Sequence, residues 1–593
     1  MHKIDGNFGV LDQVHGETNQ RMQSSILGAD IIDDPVVLPE ASEFMLSEWV
    51  NIHHFQHDSK ECSLAFAAFM RQAYHLGMLQ RESLSSFFRR CTNMCADMCY
   101  RKLSEQSWNA DYWRSKCHFA LDAYVSLLVL MVKNSVSKIS LLHKVLGIVA
   151  GDILREQEAM QTALQDLPYY KILIGLFIEL SAAEPILENI NFEVLTTFWK
   201  LLHVIKPSNA PGFALAWLNI LADRVFMDRM LAHTPEQKMY SKLLIVLFKF
   251  LSASNSNVHQ KRMLHKATLK FLRVLNDDFP EFLCEYHHEF CCAMMPHCVQ
   301  MRNLISSAVP HKIPVPDPFT PDLKVDMLSE IRQPPHISAS FIKMVETIPF
   351  KKDLDSYLRK ESSAIGTNFV KMIKTMPELE YSHSYSQDFN LDYHLQEETC
   401  GAAFYKRQME IMSNDPYCHF NIPLIHALVL YVGTQAIDSI NRKDQTLGLS
   451  TITNTRHTQF FCDLIHGLDY MGVYLLLTSI CNEITYPNSH TRYFSCLLEY
   501  FFLVGFGAGV HQQIARVVLE RLAFKPYPWG LIVTAIELMK NPLFQFISHD
   551  YTCLFPEIKK ALEPRAQTYL MLIPTPTRYN SNYTTDEPEK AEE

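Results

Sequence analysis

Apolar residues recur at three- and four-residue spacing along most of this 593-residue chain, and the pattern predicts helix after helix from about Glu43 to Val309. In "SSFFRRCTNMCADMCYRKL", Phe87, Cys91, Cys95 and Cys99 stand four apart, along one stripe of a helix. "TPEQKMYSKLLIVLFKFL" predicts a helix with Thr234 as its cap, Pro235 at its first position and Gln237 completing a capping box. Its apolar run has almost no polar face, which implies burial on several sides. "APGFALAWLNILADRVF" predicts another helix with a proline near its first turn. Strand signals are weak: glycines number nineteen, and alternating β-branched runs between tight turns are rare.

The pattern lapses in two places. "PHKIPVPDPFTPD", from Pro310 to Asp322, holds five prolines and predicts an extended connector. A polar stretch at 361–417 reads as an insertion, partly helical or mobile, after which "FNIPLIHALVLYVGTQAI" resumes helical periodicity to about Leu562. The expected organisation is a flexible lead-in at 1–42, a helical array at 43–360, the insertion at 361–417, a second part of the array at 418–563 and a disordered acidic tail at 564–593. Many short helices with small connectors predict an all-α fold, an α-solenoid of HEAT-like antiparallel pairs.

Composition sharpens this. At 48% hydrophobic residues the chain can bury a large core, and its formal net charge of −10 disfavours non-specific grip on phosphate backbones. No membrane span is expected: "YVSLLVLMV" (Tyr124–Val132) and "LLIVLFKFL" (Leu243–Leu251) reach about half of the ~20 residues that a crossing helix needs. The N-terminus lacks an apolar signal core, so the fifteen cysteines read as reduced thiols in a cytosolic or nuclear protein. In that setting the acceptor pattern Asn582-Tyr583-Thr584 is accidental.

The densest candidate chemistry is "CEYHHEFCCAMMPHC", Cys284 to Cys298. On a helix beginning near Pro280, Cys284, His287 or His288, and Cys291 share one face. A straight helix sets its side chains in a row, whereas tetrahedral zinc needs converging ligands. Pro296 could turn the chain and return His297 and Cys298, which leaves a metal site open. Phe282, Leu283, Phe290 and Met294 favour core, where cysteine acts as a small hydrophobe. Signatures of catalysis are missing: there is no phosphate loop, dinucleotide fingerprint, zinc-protease helix or nucleophile elbow. The sequence therefore predicts no enzyme and no cofactor.

Several blocks are recognisable. "YPNSHTRYFSCLLEYFF", "QQIARVVLERL" and "PWGLIVTAIELMKNPLFQF" resemble the C-terminal homology region of the Not-One family, the scaffold subunits of the CCR–NOT messenger-RNA deadenylase complex. The resemblance extends through "IHALVLYVGTQAI" (Ile425–Ile437), "PDPFTPDLKVDMLSEI" (Pro316–Ile331), "DFPEFLCEYHHEFC", "APGFALAWLNILADRVFMDRMLAHTPEQK" and "SLLHKVLGIVAGDIL", covering about Phe44 to Leu562. It implies a HEAT-like array without catalytic activity that docks a heterodimer of the two smaller Not subunits. It also implies capture of peptide motifs from RNA-binding regulators of the Nanos kind, in support of deadenylation, mRNA decay and translational repression. The family's middle and N-terminal regions have no counterpart in these residues, so the chain reads as a fragment or a shortened isoform. The insertion at 361–417 looks longer than the family's usual connector.

Guided by the resemblance, the expected partner-binding positions are Tyr486, Pro487, Asn488, His490, Tyr493, Phe494, Pro526, Pro528, Trp529, Glu537, Lys540, Asn541 and Phe544. Asn541 is expected to cap a further helix starting at Pro542. The alternative is a helical hairpin with Trp529 simply packed in its core. The expected location is the cytoplasm, with P-bodies and a nuclear pool in view. Two rivals remain: a helical-repeat RNA-binding protein, for which Lys261-Arg262 and Lys351-Lys352 leave room, and a metalloenzyme centred on Cys284 to Cys298.

Overall fold

A computed structural model describes residues 39–546 except 56–58, 105–109, 161–165, 253–257, 297, 321–322, 347–350, 360–365, 376–419, 542–543 and 545. The tail at 564–593, most of the lead-in, most of the insertion, the helix expected at Pro542 and Asn582 lie outside the described residues. Every regular element among the described residues is helical, and no strand occurs among them. The first described helix, Pro39–Phe55, takes in the last four residues of the expected lead-in. Within the insertion, Gly366–Thr375 is helical.

The chain divides into two compact units, 1–305 with 337–346 and 372–424, and 306–336 with 347–371 and 425–593. In the first unit, helices pack on the next helix but one as well as on their neighbours. Ala110–Asn134 lies against both Arg81–Ser104 and Leu167–Leu180, and Lys138–Met160 lies against Asn191–Val204. This is the stacking expected of HEAT-like pairs. The stripe Phe87, Cys91, Cys95 and Cys99 is fully buried. Large amphipathic side chains enter this core with their donors satisfied. Trp49 Nε1 donates to the Ala123 carbonyl at 2.7 Å, Trp217 Nε1 to Leu202 at 2.8 Å, and the Tyr240 hydroxyl to Leu221 at 2.7 Å.

Two expected helices differ in detail. Thr234 is itself the first helical residue of Thr234–Ser252, and the Gln237 amide reaches back to the Leu231 carbonyl at 2.8 Å, so the chain before the helix takes the bond assigned to a capping box. "APGFALAWLNILADRVF" breaks into a short 3-10 turn, Pro211–Phe213, and two helices, Ala214–Leu221 and Arg224–Met230. The break falls at Asp223, whose carboxylate accepts from the Val225 and Phe226 amides and restarts the chain as an N-cap.

The cysteine–histidine cluster also breaks in two, Pro280–Glu285 and His287–Ala293, with Tyr286 between them. Cys284, His287, His288, Cys291 and Cys298 are buried. Burial pushes the Cys284 thiol well above its ordinary range, with Glu281 adding to the effect. Among the described residues no group of three or more His, Cys, Asp or Glu side chains is placed to hold a metal ion, and the cysteines form no disulfide. The cluster fastens a distant stretch of chain instead. The hydroxyls of Ser338 and Ser340 both donate to Glu289 Oε1, the Ser338 amide donates to the Glu285 carbonyl at 2.9 Å, and His288 stacks on Phe341 at 5.1 Å.

The helix Ile422–Asn441 lies in the second unit from Ile425 onward. At 20 residues it is long and apolar enough to cross a membrane, which the windows considered from the sequence had missed. Most of it is buried in protein, with Leu424, Ala427, Val429 and Val432 fully inaccessible. Gly433 is the point of closest approach: a Cβ there would lie 2.3 Å from the tip of the Phe494 ring, so only glycine admits the aromatic at this depth.

Candidate docking site

The positions singled out from the sequence gather on and beside two packed helices of the second unit, Ser489–Leu503 and Trp529–Lys540, a hairpin in which the helix Ala508–Leu522 forms the connection. The turn that leads into it is polar in sequence yet buried at every residue from Cys481 to His490. Such a loop is stable only if its polar groups are satisfied internally. Asn488 does most of this. Its side-chain oxygen accepts from the Thr491 amide at 2.9 Å as an N-cap, and its amide donates to the Tyr486 carbonyl at 2.8 Å. Thr491 closes the loop from the other side, donating to the Tyr486 carbonyl at 2.7 Å and accepting from the Thr485 amide at 3.0 Å. His490 Nδ1 lies 3.2 Å from Glu483 Oε2 beneath it.

The second helix starts against this loop. The Gly530 amide donates to the Thr485 carbonyl at 2.7 Å, and a Cβ at Gly530 would lie 2.4 Å from Thr491 Cγ2. Thr534 Oγ1 then donates to Ser495 Oγ at 2.8 Å, joining the two helices.

The proline-rich connector crosses the hairpin as a strap. From Pro310 to His336 it is non-helical at its described prolines and then wound into two 3-10 turns, Val325–Met327 and Ser329–Arg332, and besides the bonds of its own turns it makes several to the hairpin. Trp529 Nε1 donates to the Pro316 carbonyl at 2.8 Å, and the Ser489 amide donates to the Gln333 carbonyl at 2.8 Å. The His336 amide donates to the Tyr486 hydroxyl at 3.2 Å, while Arg492 Nε lies 2.6 Å from Asp326 Oδ1. A distant segment of this same protein is therefore bonded to the aromatic and proline-rich residues.

The thirteen predicted positions are thereby sorted. Tyr486, Pro487, Asn488, His490, Tyr493, Phe494, Pro528, Trp529 and Phe544 are buried; Pro526 and Asn541 are half-buried; Glu537 and Lys540 are exposed. The buried nine hold the hairpin together, as the packed-core alternative for Trp529 anticipates. Asn541 ends the helix Trp529–Lys540. Phe544 packs against Phe502, ring centroids 6.2 Å apart. What sequence reasoning missed is the strap's role and the residues that hold it, Asp326, Gln333, His336 and Arg492. The only signal for them was five prolines beside a polar turn.

Electrostatics concentrate at Glu499. Burial raises its carboxyl to about 7; Arg492 acts in the opposite direction, and Glu537 adds to the rise. The strap's outer side presents Met327, 79% exposed, and Phe319.

The chain matches the family model "CCR4-Not complex component, Not1" over residues 177–565, about two thirds of its length. It is 32% identical over 554 residues to the CCR4-NOT transcription complex subunit let-711 of Caenorhabditis elegans, covering 89% of this chain and 20% of that protein. It is 26% identical over 571 residues to General negative regulator of transcription subunit 1 of Schizosaccharomyces pombe, covering 93% and 25%. The chain thus spans a fifth to a quarter of the length of these relatives. In fold it matches the NOT1 superfamily homology domain from Chaetomium thermophilum, with a TM-score of 0.73 at 21% identity, covering 90% of this chain and 99% of that one. It also matches a Not1 C-terminal domain solved in complex with Not4, with a TM-score of 0.69 at 21% identity, covering 89% and 100%. The extent of the family match and the identity to the nematode protein leave one assignment: this chain belongs to the family of the CCR4-Not complex component Not1.

Proposed function

We propose that this chain is a non-catalytic docking scaffold of the CCR4-Not complex and that its second unit receives the heterodimer of the two smaller Not subunits. Family membership carries the proposal. It is supported by a structural relative solved with another Not subunit, and by a hairpin whose own strap leaves a rim of mixed apolar and charged side chains outside. Since Trp529 and Phe544 are buried, partners engage the rim: Met327 and Phe319 of the strap as apolar anchors, Glu537 and Lys540 as charges that set orientation. A long wrapping partner loses much ordering entropy, so a few anchors and multivalency supply the affinity. Short helical motifs of Nanos-type regulators would add message selection, and the assembly would serve deadenylation, decay and translational repression in the cytoplasm and P-bodies, with a nuclear pool.

The test mixes this chain with the C-terminal parts of the two smaller Not subunits and measures mass by size-exclusion chromatography with light scattering. The expected result is a one-to-one-to-one complex. The expected effect of Met327→Asp with Lys540→Glu is at least tenfold weaker assembly at an unchanged melting temperature. No complex with the parent chain overturns the scaffold role. A complex indifferent to both substitutions overturns the rim as its site.

A further inference from the structure

The strap is fastened to the hairpin on both sides of a short proline-rich turn. On one side Trp529 Nε1 holds the Pro316 carbonyl at 2.8 Å, and on the other Arg492 holds Asp326. Between them the sequence runs Asp317-Pro318-Phe319-Thr320-Pro321. The Thr320 amide donates to the Asp317 carbonyl at 3.0 Å, and the Phe319 amide donates to Asp317 Oδ1 at 3.0 Å. This is a β-turn with Pro318 at the position that its fixed φ suits. Thr320 is exposed, and its hydroxyl makes no hydrogen bond among the described residues.

An exposed hydroxyl followed by proline is a selective chemical arrangement. Pro321 brings no backbone N–H after the threonine. A kinase groove that draws on that N–H rejects the segment, and one shaped for the pyrrolidine ring selects it. Pro318, two residues before Thr320, restricts the backbone on the other side. The sequence holds two further Thr-Pro pairs, Thr234-Pro235 and Thr575-Pro576. Thr575 lies outside the described residues. Thr234 is exposed as well, but it opens the helix Thr234–Ser252, whose first turn already buries Glu236. A kinase groove takes an extended chain. For Thr234 this means unwinding a helix end set in the core, whereas for Thr320 it means opening two exposed hydrogen bonds.

We propose that Thr320 is phosphorylated by a proline-directed serine/threonine kinase, with ATP as donor, and that the phosphate switches off docking at the rim. The Thr320 Oγ1 bonds to the γ-phosphorus as the bond from that phosphorus to the bridging oxygen of ADP breaks. ADP leaves with the electron pair, and the hydroxyl proton passes to the catalytic base of the kinase. The new group carries about −1.5 to −2 charges at pH 7. It adjoins Phe319, an apolar anchor of the rim, and adds to the charges of Asp317 and Asp326. A partner closing over Phe319 would have to strip water from the phosphate. Lys324, four positions on, is exposed and offsets that charge only weakly. The modification itself stands on the strap's sequence and exposure; its effect on docking rests on the scaffold reading above.

The experiment incubates the full chain with an active mitogen-activated kinase and magnesium–ATP, and follows each Thr-Pro peptide by tandem mass spectrometry. Thr320 is expected to be modified at least tenfold faster than Thr234. Thr320→Ala is expected to remove that phosphate alone, and Pro321→Ala to slow its transfer at least tenfold. Unfolding would expose Thr234 too, so a loss confined to Thr320 is not a folding effect. No phosphate on Thr320, or an equal rate at Thr234, overturns the site. An undiminished rate in Pro321→Ala overturns the proline direction. The phosphorylated chain is then expected to assemble with the two smaller Not subunits at least tenfold more weakly than the untreated chain, while kinase-treated Thr320→Ala assembles like the untreated chain. Equal assembly of the phosphorylated and untreated chains overturns the switch. An untreated chain that does not assemble overturns the docking reading and the switch with it, whereas the phosphate on Thr320 is decided by mass spectrometry alone.

Discussion

Two stretches of this chain look like functional sites in sequence, Cys284–Cys298 and Tyr486–Phe494, and the structure puts both to the same kind of use. Each is a dense run of polar and aromatic residues, most of the described ones buried. Each fastens an irregular segment from elsewhere in the sequence. Glu289 and His288 hold the chain at Ser338–Phe341, and Tyr486, Ser489 and Arg492 hold the strap between Asp326 and His336. Helices satisfy their own backbone groups, but an extended segment laid on them brings unpaired amides and carbonyls that must find partners. Buried polar residues on the helices underneath supply those partners. The runs differ in how the fastening is made: one carboxylate receives two hydroxyls in the first, whereas the second combines single bonds of neutral groups with the ion pair of Arg492 and Asp326.

The largest effect is expected where apolar burial and fastening coincide. Trp529 is 6% exposed and donates to the Pro316 carbonyl. Trp529→Ala removes the indole and leaves that carbonyl without its donor, at an expected cost of about 3–5 kcal/mol. Trp529→Phe keeps most of the packing and is expected to cost about 1–3 kcal/mol. Thermal denaturation of the two variants against the parent checks this: a Trp529→Phe variant that melts with the parent would mean that the hydrogen bond to the strap contributes nothing, and equal melting of the two variants would mean that the ring's packing contributes nothing.

Glu289 tests the other fastening. Glu289→Ala leaves the hydroxyls of Ser338 and Ser340 without their shared acceptor, and the expected loss is about 1–3 kcal/mol. Hydrogen exchange is the sharper measurement, because loosening should concentrate at 338–341 rather than spread through the unit. Uniform loss of protection would instead make Glu289 an ordinary core residue.

What the sequence made legible follows from the range of the interactions involved. Helix periodicity is local, so the all-α array and the proline-rich connector could be read from spacing and turn chemistry. The break at Asp223 was locally encoded too, since an Asp before a helical pattern is an N-cap signal, but a continuous apolar stripe concealed it. The strap is different. Pro316 and Trp529 are separated by 213 positions, and nothing near either residue announces the other. Family resemblance singled out the aromatic hairpin, but resemblance carries no information about exposure. Aromatic and proline side chains suit a core and a docking groove equally well, so burial had to come from the structure.

The smallest expected effect probes the hairpin's charge. Glu499 is buried, with Arg492 Nη1 3.9 Å away, and its carboxyl rises from the ordinary 4.5 to about 7. The folded chain therefore binds a proton between these values that the unfolded chain has released. Its contribution is fully present below about 4.5 and is lost as pH rises through about 7. Glu499→Gln removes the cost of burying the ionised carboxylate, while Arg492 keeps Asp326 at 2.6 Å. The variant should gain on the order of 1 kcal/mol relative to the parent on going from pH 5 to pH 8, read as a melting-temperature difference larger at pH 8 by about 2–4 °C. A difference that stays constant with pH would show that Glu499 remains ionised throughout, held by Arg492 more strongly than burial opposes it.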